Sequence, residues 1–245
     1  MEREVYARMA EIEAHHWWFV ARRAILAEVL LRLVDLSPPA RILEAGCGTG
    51  GNLAMLSRFG EVAAFEPDAE ARRMARSKGG FDIREGRLPG EIPFEPGRFD
   101  LVAAFDVLEH VDDDLSSLRA LHDQLRPGGS ALITVPAFDF LWSRHDERHH
   151  HQRRYTRAGL RRRAANAGLT PVEVTYFNSV LFPLIAGVRL GKKILRLEDA
   201  EDEAMPPALL NGILCGLFAS ERHLMGRVRV PFGVSLMMIA RKADS

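Results

Sequence analysis

Glu44-Ala45-Gly46-Cys47-Gly48-Thr49-Gly50 decides the fold of this chain. A short apolar strand candidate, Arg41-Ile42-Leu43, runs into it, and a helix candidate, Gly51-Asn52-Leu53-Ala54-Met55-Leu56, leaves it. Gly46, Gly48 and Gly50 remove side chains where backbone must turn sharply and approach a ligand, and the helix behind them presents unpaired N–H groups. A strand that turns through glycines into a helix is the entrance to a nucleotide site.

The glycines alone do not choose the nucleotide, because Gly46, Gly48 and Gly51 also satisfy the G-x-G-x-x-G spacing of dinucleotide-binding folds. Glu44 shifts the balance. A carboxylate at the mouth of the loop repels a pyrophosphate but suits a ligand carrying an ammonium and a sulfonium, which describes S-adenosylmethionine. A second strand candidate, Val62 to Phe65, ends in Glu66 and Pro67, with Glu66 lying 22 positions beyond Glu44. A carboxylate there accepts hydrogen bonds from ribose hydroxyls of either cofactor.

Further along, Phe99 to Phe105 reads as a buried strand leading into Asp106-Val107-Leu108-Glu109-His110-Val111. Asp112, Asp113 or Asp114 caps the next helix, Leu115 to Leu125, and Arg126-Pro127-Gly128-Gly129 stops it before a strand at Ala131 to Val135. Taken together, the E-x-G-x-G-x-G loop, the strand-end Glu66, the FDLVAAFDVLEHV segment and LRPGG resemble the class I S-adenosylmethionine-dependent methyltransferases over residues 41–137. That resemblance implies an α/β, doubly wound, Rossmann-like seven-stranded sheet, with S-adenosylmethionine held by Glu44, Gly46, Cys47, Gly48, Gly50, Asn52, Glu66 and Pro67. It also implies contacts from Asp106, Val107 and His110. One position departs from the family pattern. Where such chains often carry Gly-Asp before an apolar-Pro pair, this one has Glu85-Gly86-Arg87-Leu88-Pro89. Arg87 and Leu88 are then expected at the adenine, either through stacking by Arg87 or through backbone N–H groups alone.

With 245 residues and 47% hydrophobic content, the chain has room for one α/β domain with appendages. Its 33 basic and 33 acidic residues give no net field toward nucleic acid, and long basic runs and aromatic base-stacking motifs are missing. Only Cys47 and Cys215 occur, so a disulfide framework is not expected, and Met1-Glu2-Arg3-Glu4 does not read as a signal peptide. A cytoplasmic location is the expectation. The apolar stretches 180–190 and 208–219 fall short of the ~20 residues a membrane-spanning helix needs.

Residues 1–37 are expected to form a helical cap, with helices at 2–14 and 19–34 separated by His15-His16-Trp17-Trp18. Trp18 and Arg22 share a face at i, i+4 spacing, so that Arg22 or Arg23 binds the cofactor carboxylate while Trp18 closes over it. The plainer reading is that Trp17 and Trp18 only pack the cap and the arginines are solvated. The core is expected at 38–177 and 229–245, with a sixth strand at Val172 to Tyr176 and a seventh at Val234 to Ala240, antiparallel near the edge. Between them, 178–228 reads as a helical lid. It carries the apolar stretch 180–190, Lys192, Lys193 and Arg196, the acidic turn Glu198 to Glu203, and a helix candidate at Ala208 to Met225. Its apolar stretches allow peripheral membrane contact or a homodimer as well as a buried, monomeric use.

The segment leaving the fifth strand is the richest in polar groups: His145-Asp146-Glu147-Arg148-His149-His150-His151-Gln152-Arg153-Arg154-Tyr155. Topology puts it at the carboxyl ends of the strands, beside the methyl group. The HD phrase followed by H-x-R-R-Y, with His16-Trp17-Trp18-Phe19, resembles a bacterial subset of the same family. Three roles are open: a metal site, a structural brace, or an acceptor site. The third is adopted, without a metal, with His145, His151 or Tyr155 taking the acceptor proton and Arg153 and Arg154 fixing an anionic group. The expected function is in-line methyl transfer to oxygen or nitrogen of a small-molecule, glycan or lipid-linked acceptor. A NAD-dependent oxidoreductase and a non-catalytic S-adenosylmethionine-binding protein are the alternatives.

Overall fold

Alternating residues of the central strands sort onto two faces, and each face is roofed by its own helices. Ile42, Leu101, Ala103, Leu132, Met237 and Ile239 belong to one buried cluster, whereas Leu43, Val102, Ala104, Ile133, Met238 and Ala240 belong to the other. This is the period-two alternation of a sheet covered on both sides. The computed structural model describes residues 3–195 and 205–244. Arg196 and the acidic turn Glu198 to Glu203 lie outside them.

Seven strands, β1 (Arg41–Ala45), β2 (Glu61–Glu66), β3 (Asp82–Glu85), β4 (Phe99–Phe105), β5 (Leu125–Pro136), β6 (Leu169–Phe177) and β7 (Ser235–Lys242), form one sheet in the order β3-β2-β1-β4-β5-β7-β6. Strands β1 to β5 pair in parallel, while β7 runs antiparallel to both of its neighbours. The expected sixth and seventh strands pair antiparallel to each other near the edge, and β6, at the edge itself, points the same way as the parallel set. The crossover through a helix from β5 delivers β6 parallel but one place away, and β7 fills the gap between them.

The helices are α1 (Arg3–Ile12), α2 (Trp17–Leu33), α3 (Leu53–Leu56), α4 (Ala69–Arg76), α5 (Asp114–Gln124), α6 (Arg144–Arg148), α7 (Arg157–Asn166), α8 (Phe182–Leu195) and α9 (Ala208–Ser220). Asp68, Asp113 and Thr156 cap α4, α5 and α7 through side-chain oxygens, so Asp113 is the cap among the three candidate aspartates. Trp17 and Trp18, expected in a linker, form the first turn of α2 because His16 accepts the Trp18 N–H and caps the helix there. The helix after the glycine loop ends at Leu56 as expected but starts two residues late, at Leu53, because the chain is still turning at Gly50, whose carbonyl accepts the Leu53 N–H at 3.3 Å.

One arrangement was not foreseen: α9 packs along α2, joining the two segments that flank the core. Asn211 accepts the Trp17 N–H at 2.8 Å and donates to the His15 carbonyl at 2.9 Å, while Trp17 meets Phe218 edge-on at 5.9 Å. Among the described residues, no helix is long and apolar enough to cross a membrane.

Candidate active site

Chain leaving the carboxyl ends of the strands turns sharply, with Asp106, Phe138 and Asn178 at φ of 54°, 58° and 55° just beyond β4, β5 and β6. For non-glycine residues this left-handed region is sparsely used and persists where surrounding structure holds it. At Asp106 the hold is visible: its N–H donates to the Thr134 carbonyl at 3.0 Å, and its carboxylate pairs with Arg22 at 2.7 Å. These loops, α1, α2 and α8 enclose a cavity of 920 Å³.

The glycine loop and β2 build one end. Gly46 and Gly48 take φ of 67° and 53°, and a Cβ on Gly46 would lie 2.9 Å from Val107. Glu66 accepts the Gly48 N–H at 2.9 Å and the Asp68 N–H at 3.0 Å, and its other lone pairs remain for ribose hydroxyls. Burial raises the pKa of Glu66, against the opposing pull of those two hydrogen bonds. Tyr6, which the sequence reading missed, sits beside it; burial, with Glu66 and Asp68 next, pushes its hydroxyl well above the usual phenol range. Cys47, Asn52, Pro67, Leu88, Val107 and His110 line the cavity, and Arg87 does so from an exposed position, its backbone paired with Glu91.

Two expected cofactor contacts lie behind the cavity wall instead. Glu44 is 1% exposed and receives the Asn52 side-chain amide at 2.9 Å, so it positions Asn52 rather than meeting a ligand. Burial pushes its pKa up to about 7. Gly50 lets α4 come close: a Cβ there would stand 3.0 Å from the Cα of Ala75.

The cap closes over this end. Arg22 is buried, its guanidinium 4.8 Å over Trp18, and it donates to Thr134 at 3.0 Å. Its Nε is buried without a hydrogen-bond partner among the described residues, a donor that a carboxylate would satisfy. Arg23 is turned to the Glu13 carbonyl at 2.7 Å. The cradle of glycines, the strand-end carboxylate and this unpaired guanidinium nitrogen fit S-adenosylmethionine. That cofactor supplies an electrophilic methyl group on sulfur.

The other end gathers His110, His145, His149 and His151 around Glu109. His110 and His151 meet edge-on at 4.7 Å, and His145 and His149 lie 5.9 and 5.8 Å from His151. Asp146, fully buried, accepts from Arg154 at 2.9 Å through both oxygens and from the Ser143 N–H at 2.9 Å, and lies 2.8 Å from His151 Nδ1. Burial pushes the pKa of His110 down to about 3 and that of His145 well below the usual range, so both rings are neutral near pH 7. Glu109 is fully buried, and burial, with the Asp106 charge next, raises its carboxyl well above the ordinary range.

Three roles expected of this segment need correction. Tyr155 is 3% exposed and off the cavity wall, donating to Asp114 at 3.0 Å and to the Leu108 carbonyl at 3.2 Å. Burial and then Asp114 raise its pKa further, which is unsuited to a base. Arg153 also stays off the wall, held by the carbonyls of Val111 and Asp112 at 2.7 and 2.9 Å. Arg154 reaches the wall but spends its donors on Asp146 and the Ala137 carbonyl, so it braces the loop rather than waiting for an anion. Glu109, Asn178 and Ser235 line the cavity and had been given no role from sequence. Glu109 had a signal, its place three residues after Asp106 at a strand end.

A family model described as a methyltransferase domain matches residues 18–174. A ubiquinone biosynthesis O-methyltransferase of Xanthomonas campestris is 34% identical over 104 residues, 40% of this chain and 44% of that protein. A trans-aconitate 2-methyltransferase of Deinococcus radiodurans is 32% identical over 121 residues, 49% of this chain and 46% of that one. The chain thus aligns with less than half the length of these relatives. Among solved structures, the complex of a Haloferax volcanii methyltransferase activator with its methyltransferase partner matches with TM-score 0.64 and 17% identity, covering 99% of this chain and 96% of that one. A geranyl diphosphate methyltransferase bound to its substrate and sinefungin matches with TM-score 0.60 and 18% identity, covering 89% and 77%. These two show the fold. With the matched domain, the glycine cradle and the strand-end Glu66 in agreement, the chain belongs to the class I S-adenosylmethionine-dependent methyltransferases.

Proposed function

We propose that the chain transfers the methyl group of S-adenosylmethionine to an oxygen of a small, partly apolar acceptor. The observation that carries this reading is the continuity of the cavity. The same cavity is lined by Gly48 and Glu66 and by His110, His145, His149 and His151 together with Leu181, Leu184, Ile185, Val188 and Leu214. A hydroxyl must lose its proton to become a good nucleophile, whereas a neutral amine need not, and His151, held by Asp146 at 2.8 Å on the cavity wall, is placed to assist that loss. The rest of the rate comes from holding acceptor and methyl in line, a term of about 7–11 kcal/mol in well-oriented systems.

The relatives named as ubiquinone and trans-aconitate methyltransferases support a small-molecule acceptor here. A lipid-linked acceptor is the narrower form of the proposal. It draws support from Leu184 and Val188 on α8, which line the cavity mouth yet are 61% and 47% exposed, and from Leu209 on α9 at 79%. On this reading residues 178–228 act as a lid and 1–37 as a cap over the core at 38–177 and 229–245. The free thiols of Cys47 and Cys215 accord with work in the cytoplasm.

Incubation of the chain with methyl-labelled S-adenosylmethionine and fractionated extract, aqueous and lipid, tests this directly. Label should appear in a methyl ether. Label only on nitrogen, or none in any fraction while cofactor binds, would overturn the oxygen acceptor.

A further inference from the structure

We propose that Glu109, His110 and His151 form a binding site for one divalent transition-metal ion, on the acceptor side of the cavity. A carboxylate oxygen and a ring nitrogen from each histidine already lie within 4.8 Å of one another. Around an ion with bonds of about 2.1 Å, such donors stand ~3–4 Å apart, so small side-chain rotations complete the set.

Independent of that grouping, Glu109 has an unmet need. It is fully buried, and neither carboxylate oxygen has a hydrogen-bond partner among the described residues. A carboxyl group in that condition either keeps its proton or is met by a cation, and an ion that replaces the proton satisfies both oxygens. The nearby guanidinium groups are engaged elsewhere, Arg22 with Asp106 and Thr134, and Arg154 with Asp146 and the Ala137 carbonyl.

The outer groups are arranged as metal-binding histidines require. Asp146 lies 2.8 Å from His151 Nδ1, which fixes the ring and leaves Nε2 for the ion. A carboxylate behind a ligating histidine is the usual support of such sites. Two imidazoles and one carboxylate, with the remaining positions open to the cavity, suit zinc, manganese, iron or cobalt better than calcium.

The ion's role rests on the methyltransferase reading, and it specifies how the acceptor hydroxyl is ionised. The hydroxyl oxygen binds the ion and gives its proton to cavity water. The oxygen then forms its bond to the methyl carbon as the carbon–sulfur bond breaks, leaving a neutral thioether. His151 is a ligand in this scheme.

Binding is tested without turnover. The full chain is stripped with EDTA, then titrated with Co²⁺ and Zn²⁺ by calorimetry, and its histidine ring signals are followed by NMR. One ion per chain is expected, with Co²⁺ perturbing His110 and His151 and sparing His122 and His223. Asp146→Asn should weaken the ion by about 10- to 100-fold, and Glu109→Gln with His151→Ala should abolish it. Titration with S-adenosylhomocysteine on the same samples reports the cofactor site separately, so loss of the metal proposal and loss of the methyltransferase reading are distinguishable. Absence of stoichiometric binding by the wild-type chain, or unperturbed His110 and His151 signals, overturns the proposal even if every variant is unstable.

Discussion

Arg22 meets the carboxylate of Asp106 at 2.7 Å and so ties the second helix of the cap to the strained residue at the end of β4. The same guanidinium lies over Trp18, and its Nε is buried without a hydrogen-bond partner among the described residues. Arg22→Met should therefore lower cofactor affinity and stability together. Removing one partner of a buried pair costs up to about 3–5 kcal/mol. Asp106 retains some solvent access, so the lower end is expected. Urea unfolding and calorimetric titration with S-adenosylhomocysteine check the two effects; an unchanged affinity would show that the cap only packs.

Gly48 and Gly50 sit two residues apart yet should fail differently. A Cβ on Gly48 meets nothing within 4 Å and projects into open space at φ of 53°, whereas one on Gly50 runs into Leu53 and Ala75. Gly48→Val should abolish cofactor binding in a chain that still folds, and Gly50→Val should impair folding itself. Beside them, Glu66→Ala should weaken the cofactor by about 1.5–3 kcal/mol, the range for hydrogen bonds to a charged group. Equal cofactor affinity in wild type, Gly48→Val and Glu66→Ala would remove the assignment of this end of the cavity.

Glu44 makes stability depend on pH in a defined direction. Burial raises its folded pKa from 4.5 to about 7, so the folded chain keeps a proton that the unfolded chain has already lost in between. Stability contributed by this group is present below pH 4.5 and declines as pH rises toward 7. Glu44→Gln keeps an acceptor for Asn52 and removes the decline. Above pH 7 the variant should be the more stable chain, by at most about 3 kcal/mol. Parallel stability curves for the two proteins across this range would refute the linkage.

Tyr155 and His151 offer a paired test of what the polar loop does. Tyr155→Phe leaves Asp114 still paired with Arg163 at 2.6 Å, so a loss of about 1 kcal/mol in stability and near-normal turnover are expected. His151→Ala should reduce turnover by about 10²–10⁴-fold while cofactor affinity stays near wild type. Steady-state kinetics with the true acceptor decide it. A large loss in Tyr155→Phe with an intact His151→Ala would reverse the roles.

The local features of this protein were decided by its sequence. Glycine spacing, the strand-end carboxylate Glu66, the apolar runs of β4 and β5 and the i, i+4 spacing of Trp18 and Arg22 act over a few residues. They suffice for the doubly wound sheet, the approach of Glu66 to the glycine loop and the Trp18–Arg22 stack, but not for the withdrawal of Glu44 and Gly50 behind the cavity wall. What tertiary structure alone decided depends on residues far apart in the chain. The pairing of α9 with α2 brings Asn211 to Trp17 across 194 positions, and the approach of His151 to Glu109 and His110 spans more than 40. Direction matters as much as distance. Arg154 and Tyr155 are neighbours in a polar run, yet Arg154 reaches the cavity wall to brace Asp146 while Tyr155 is buried against Asp114. Residue type announces that a group can take a proton or bind an anion; only packing determines whether its partners already occupy it.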